Sequence, residues 1–330
     1  MSSGLSLLKP ASDRPVRPGR AERAWEETLV KGRDLLRAKA RSFHLATAML
    51  PAELRDDIAV VYAFCRTADD LADESEHPAD ARNALLRLDA ELAGRRPQGK
   101  LVTALARVAE RHAFTLEHAR VLLDGVRTDL DVVRIADDEA LLQYCYRVAS
   151  TVGLMISRVL GVRDPEAEPF AVDLGLAMQL TNIVRDVRED VARNRVYLPC
   201  TRLRAHGITP EQLCRFAVDR EPVRQVCLEL LTLADRHYRS AARGLTFIPF
   251  RARFGIAVAS RVYASIGWRT RRLRHHPLDG RMIVPRTEKL WRIGESAVVT
   301  VASAFARPGM HDPALQVALH AAPDLLRARG

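Results

Sequence analysis

The 330-residue sequence is poor in the features that mark several common protein classes. No stretch reaches the roughly 18 uncharged apolar residues of a spanning helix, so no membrane crossing is expected. The opening MSSGLSLLKPASDRPVRPGR lacks a long apolar core, so no secretory leader is expected either. Cysteine is sparse: five residues, an odd number, and no CxxC pair. That spacing speaks against a zinc site or a disulfide framework and for a reducing, cytoplasmic setting. Neither GxGxxG nor GxxxxGK[ST] occurs, so a dinucleotide-binding unit or a P-loop is unsupported. Polar–apolar alternation never persists long enough for a sheet, and no fixed-period repeat is found.

What is present is apolar and basic. Hydrophobic residues make up 48% but aromatics only 5%, and Ala, Leu and Val dominate, as packed helices require. The net charge of +10 suits anionic partners such as nucleic acid, lipid headgroups or phosphorylated small molecules. It equally suits an arginine-rich proteome. No nucleic-acid reader module or interleaving of aromatic and basic residues supports the first of these partners.

The apolar spacing predicts one helical domain over 21–306, between a disordered basic tail at 1–20 and a C-terminal tail at 307–330. A helix should end near Pro51, and a second should run from there into RTADDLADE. Further helices are expected over 101–135, 138–160, 170–192, 211–243 and 252–275. TPEQ at 209–212 reads as a capping box with proline in the first helical position. The run RTRRLRHH at 269–276 reads as a solvated helix end or as a patch for anionic lipid.

Two acidic segments carry chemistry. Asp69 and Asp73 are four residues apart and share a helix face with Tyr62 and Arg66. Uncompensated, such a pair costs a helix a few tenths of a kcal/mol, and a divalent ion between them would remove that cost. Alone, DxxxD is a frequent surface pattern, and Glu74 and Glu76 read as surface. The second segment changes the balance. Gln179, Asn182, Asp186 and Asp190 form a polar stripe inside the apolar run Leu176, Met178, Leu180, Ile183, Val184 and Val187. Buried amides and acids need partners. Two such helices facing each other across a bundle would make an all-oxygen site suited to Mg²⁺ or Mn²⁺. Arg66, Arg185 and Arg195 would balance a phosphate or diphosphate.

YAFCRTADDLADE, YCYRVASTVGLMI at 144–156, LGLAMQLTNIVRDVREDVARNRVYLP at 174–199 and RSFHLATAMLP at 41–51 resemble the squalene/phytoene synthase family. This family is the head-to-head branch of the trans-prenyl diphosphate synthases. The likeness runs from about Arg41 to about Leu290 and looks closest to bacterial phytoene synthases. It implies an all-α isoprenoid synthase fold, a single helical bundle around a central cavity with Mg²⁺ (Mn²⁺ as a substitute) and two prenyl diphosphates. It also implies Asp69, Asp73, Asn182, Asp186 and Asp190 as metal ligands. By position, Ser42, Tyr62, Arg66, Gln179, Arg185, Arg195 and Tyr197 match substrate-binding positions. Tyr144 matches a cavity tyrosine, and Gly153 a small lining residue. Tyr263 and Arg281 match a late tyrosine and arginine that face the leaving diphosphate, although the spacing there differs by one residue.

The implied reaction joins two geranylgeranyl diphosphates into phytoene without NADPH, the first committed step of carotenoid biosynthesis. A farnesyl-using squalene or dehydrosqualene synthase is the alternative. A non-catalytic membrane or assembly scaffold of the same fold is a second, which the intact aspartate motifs disfavour. Peripheral contact with the inner face of an anionic membrane is expected.

Overall fold

The computed structural model describes residues 19–39, Thr47, 50–75, 77–94, 99–273, 275–320 and Ala322. Ser42, Glu76, the expected helix before Pro51 and nearly all of the expected 1–20 tail lie outside those residues. The fold is all-α. Its longer helices are α1 (Arg20–Lys39), α2 (Ala52–Asp73), α3 (Pro78–Ala93), α4 (Lys100–His112), α5 (Glu117–Thr128), α6 (Asp138–Cys145), α7 (Thr151–Val159) and α8 (Glu168–Ala192). After the short α9 (Cys200–Ala205) and α10 (Pro210–Cys214) come α11 (Arg220–Arg243), α12 (Phe250–Arg272), α13 (Arg286–Ser303) and the short α14 (Val317–His320). Among the described residues the only bridge of strand type is an isolated one between Arg134 and Val196.

The acidic helices α2 and α8 organise the bundle. α2 packs on α1, α4, α5 and α7, and α8 lies along α11 with α7 and α12 on its other sides. Each belongs to its own apolar core, and the partly buried Val148 packs against both. Val148 sits in a single π-helical turn, Tyr146–Ser150, that joins α6 to α7. Gly175 of α8 lies so close to this turn that an added Cβ would be 2.5 Å from the Ser150 Cα, so glycine is required there. α2 is fixed on its outer side by Asp57, which is buried and accepts from Arg111 at 2.8 Å and bonds His112 at 2.7 Å.

The sequence predicts unbroken helices over 101–135 and 211–243, but the chain breaks both. Ala113 and Phe216 adopt left-handed backbone with φ of 53° each. The following N–H reaches back across the helix end, Phe114 to Ala109 O at 3.1 Å and Ala217 to Gln212 O at 2.9 Å. This is a Schellman ending built without the glycine that usually signals it. After α5 the chain turns at 129–131, and beyond the turn Val196 N–H donates to Val133 O at 3.1 Å. The capping box at Thr209 and Gln212 is formed with both reciprocal bonds. The segment after residue 307 is also tied in. Asp173, fully buried on α8, receives bonds from His237 at 2.9 Å, His311 at 2.9 Å and Gln316 at 3.0 Å.

Candidate active site

The two acidic helices face each other across a polar compartment of about 770 Å³. It adjoins an apolar cavity of about 430 Å³, and Arg66, Asp69, Val148, Gln179 and Asn182 line both. All the described residues singled out in the sequence line one or the other. Tyr62, Gly153 and Tyr263 face the apolar cavity, whereas Asp73, Tyr144, Arg185, Asp186, Asp190, Arg195, Tyr197 and Arg281 face the polar one.

Arginines tie the walls together. Asp73 on α2 accepts from Arg195 at 2.6 Å and pairs with Arg193 at 3.3 Å. Arg195 is placed there by the end of α8. Asn194 takes left-handed backbone with φ of 58°, which asparagine tolerates, and Arg195 N–H returns to Asp190 O at 2.9 Å. On the α8 wall Asp186 receives a two-pronged contact from Arg185 at 2.8 and 2.6 Å. Arg281 reaches the same carboxylate at 2.8 Å, so the irregular spacing before it does not remove it from the site. Arg66 pairs with Asp70 within α2.

Asp129 is the residue that sequence reading missed. It follows the last residue of α5 and accepts from Tyr197 at 2.7 Å and Tyr144 at 3.1 Å, whose rings stack at 4.9 Å. No paired-acid spacing marked it, and it fell inside a stretch read as continuous helix. Glu189 and Arg193 also line the compartment unforeseen.

Six carboxylates and five guanidiniums line this space. The acids are crowded. Burial pushes Asp69 up to about 7, Arg66 opposing and Asp73 and Asp129 adding to the rise. Burial and then Asp186 push Asp190 up to about 7, with Arg195 opposing. Burial likewise lifts Asp129 to about 6 against its bond from Tyr197. The Tyr62 hydroxyl is raised to about 12, mainly by burial.

Among the described residues no three acidic, histidine or cysteine side chains come together closely enough to hold an ion by themselves. The donors fit a different arrangement. Each wall offers a pair of carboxylates, and the buried Asn182 Oδ1 and Glu189 Oε2 have no hydrogen-bond partner. An all-oxygen set that leaves several positions open suits Mg²⁺, which keeps waters and shares substrate phosphate oxygens.

The apolar cavity runs away from this junction. Along α8 its lining passes from Asn182 to Phe170, twelve residues or ~18 Å at ~1.5 Å per residue. Phe170 forms part of its far end, stacked on Phe247 at 5.7 Å and edge-on to His311 at 5.3 Å. Gly244 touches the same ring system, and a Cβ there would be 2.2 Å from the Phe170 Cβ.

Comparison with known proteins converges on one group. The family model "Squalene/phytoene synthase" matches residues 36–288. A phytoene synthase of Rhodobacter capsulatus is 37% identical over 283 residues, which cover 83% of this chain and 82% of the relative. One of Cereibacter sphaeroides is 36% identical over 304 residues, covering 88% and 83%. The crystal structure of a dehydrosqualene synthase in complex with ligand superposes with a TM-score of 0.76 at 26% identity, covering 86% of this chain and 99% of that one.

Proposed function

The chain belongs to the squalene/phytoene synthase family, and from that premise we propose that it joins two geranylgeranyl diphosphates head to head into phytoene, by way of a cyclopropylmethyl diphosphate. It is a prenyltransferase. The observation that carries the reading is the junction of the two compartments: facing acidic walls bridged by arginines, opening onto an apolar cavity. A diphosphate fits the first and a prenyl chain the second.

The depth of the cavity supports the longer substrate. An isoprene unit adds four chain carbons, ~5 Å when extended at ~1.5 Å per bond, so a twenty-carbon chain spans ~20 Å and a fifteen-carbon chain ~15 Å. The ~18 Å from Asn182 to Phe170 is ~3 Å more than the shorter chain needs and comes within ~2 Å of the longer one.

Asp69 and Asp73 on one wall, and Asn182, Asp186 and Asp190 on the other, would hold Mg²⁺. When bound, such ions supply positive charge that draws off diphosphate as a leaving group. Arg66, Arg185, Arg195 and Arg281 donate to the same phosphate oxygens, exchanging their present carboxylate partners for them. The walls beyond the junction, Val152, Ile156, Leu174 and Met178 among them, keep water from the allylic cation. The double bond of the second substrate attacks that cation, and loss of one proton from the coupled cation closes the cyclopropane ring. Ionisation and rearrangement of the cyclopropyl intermediate, then proton loss, complete the hydrocarbon. No reduction is involved, so NADPH is not required.

Incubation of the purified protein with geranylgeranyl or farnesyl diphosphate, with Mg²⁺ and with or without NADPH, tests this reading. Phytoene from the first substrate, unaffected by NADPH, is expected. Squalene or dehydrosqualene from farnesyl diphosphate as the dominant product would overturn it.

A further inference from the structure

The helix α13 is built inside out. A helix at the surface of a globular protein normally turns its apolar stripe inward. α13 instead buries Ser296 and Thr300, whose hydroxyls bond back to the helix carbonyls of Arg292 and Ser296. Its apolar residues face out: Leu290, Trp291, Val298 and Val301 are 67, 73, 69 and 56% exposed, and Phe305 just beyond the helix is 89% exposed. They follow one side of the chain over fifteen residues, ~22 Å. Between Trp291 and Phe305 no exposed position carries a charge. The two acids of α13 are turned aside into ion pairs, Glu288 with Arg269 at 2.7 Å and Glu295 with Arg292 at 2.9 Å.

The surroundings are apolar and basic. Trp268, Leu273 and Ile283 are exposed near the first turn of α13. Arg272 lies over the Trp268 ring at 5.4 Å. Arg272, Arg286, Lys289 and Arg307 make no ion pair among the described residues. The basic run at 269–276 is more committed than its sequence suggests: Arg269 pairs with Glu288 and Arg271 with Asp235.

We propose that the outer face of α13, with the end of α12, is a docking surface for a bilayer containing anionic lipid. Aromatic residues at both ends of an uncharged stripe, flanked by arginine and lysine, match the interfacial-helix pattern. A second copy of the chain is the poorer occupant, because the rim carries one sign of charge and no exposed acid on α13 answers it. The surface also lies near the cavity: Arg261 lines the cavity and approaches Glu295 of α13 at 3.5 Å. A hydrocarbon product would thus be released beside lipid. That last use rests on the proposed synthase activity, whereas the docking does not.

Flotation of the full chain with phosphatidylcholine vesicles, with and without phosphatidylglycerol, tests the surface. The protein should float with the anionic vesicles, less so as salt rises, and Val298→Asp should weaken this roughly tenfold or more. Position 298 is open, so the variant should keep the wild-type melting temperature. As a second readout, brominated lipid should quench tryptophan emission in the wild type and much less in the double variant Trp268→Phe/Trp291→Phe, whose remaining emission comes from Trp25. Undiminished flotation of V298D, equal binding to neutral vesicles, or quenching unchanged in the W268F/W291F double variant would overturn the proposal. So would a dimer in solution that V298D converts to monomer. Loss of vesicle binding alone would leave the synthase reading intact, since that is read from product.

Discussion

Asp69→Asn separates a site built for a cation from a merely acidic surface. Asp69 is half-buried, and its carboxyl is raised from an ordinary 3.8 to about 7. Roughly 3 pH units at ~1.4 kcal/mol each sets a ceiling of ~4 kcal/mol on the cost of keeping it ionised in the metal-free fold. Water still reaches the compartment, so ~1–2 kcal/mol is the expected magnitude. The sign follows from linkage. A carboxylate whose folded value lies above its unfolded one costs nothing below about 3.8, increasingly more between there and 7, and its full amount above 7. The amide variant should therefore be more stable than wild type in EDTA at pH 8, with the advantage shrinking towards pH 4. Added Mg²⁺ and diphosphate should reverse the order, because only the wild type gains the full linkage stabilisation, ~2.7 kcal/mol at a hundredfold excess over Kd. Turnover should fall at least ~100-fold. The assay is urea unfolding at both pH values, with and without Mg²⁺ and diphosphate. A variant less stable than wild type in EDTA at pH 8, or a difference independent of pH, would refute the reasoning.

Two other outcomes follow from the site. Gly244→Ala places a Cβ 2.2 Å from the Phe170 Cβ, which no rotation of the ring relieves, so it should lower stability by ~1–3 kcal/mol, read by urea unfolding. Adding Phe170→Leu should leave most of that loss in place, because leucine keeps the same Cβ, and a G244A variant as stable as wild type would count against the close approach of Gly244 to Phe170. Asp129→Asn removes a charge that raises both Asp69 and Asp190, so the acid limb of kcat/KM should move to lower pH by up to ~1 unit. An unmoved limb would exclude Asp129 from the electrostatics of the site.

The acidic walls were legible because each sits at helical spacing within an apolar run, as with Asn182, Asp186 and Asp190. Their convergence followed from chemistry, since buried acids need cations. Asp129 was not legible. Its partners Tyr144 and Tyr197 are distant in sequence, and only the packing of α5, α6 and the chain after α8 brings the three together. The breaks at Ala113 and Phe216 were hidden for a local reason: both residues adopt a backbone that sequence reading assigns to glycine or asparagine. The C-terminal segment looked peripheral because its anchor, Gln316 to Asp173, spans 143 residues.

The turn at Asn194 bears on how this chain can vary in length. Arg195 reaches Asp73 only because the turn reverses direction immediately after Asp190. A surface loop between two helices can in general lengthen or shorten while its helices stay in place. A single residue inserted between Asp190 and Arg195 could not be absorbed in that way. It would swing the guanidinium off the opposite wall and leave Asp73 without its nearest cation, although every helix of the bundle remained intact.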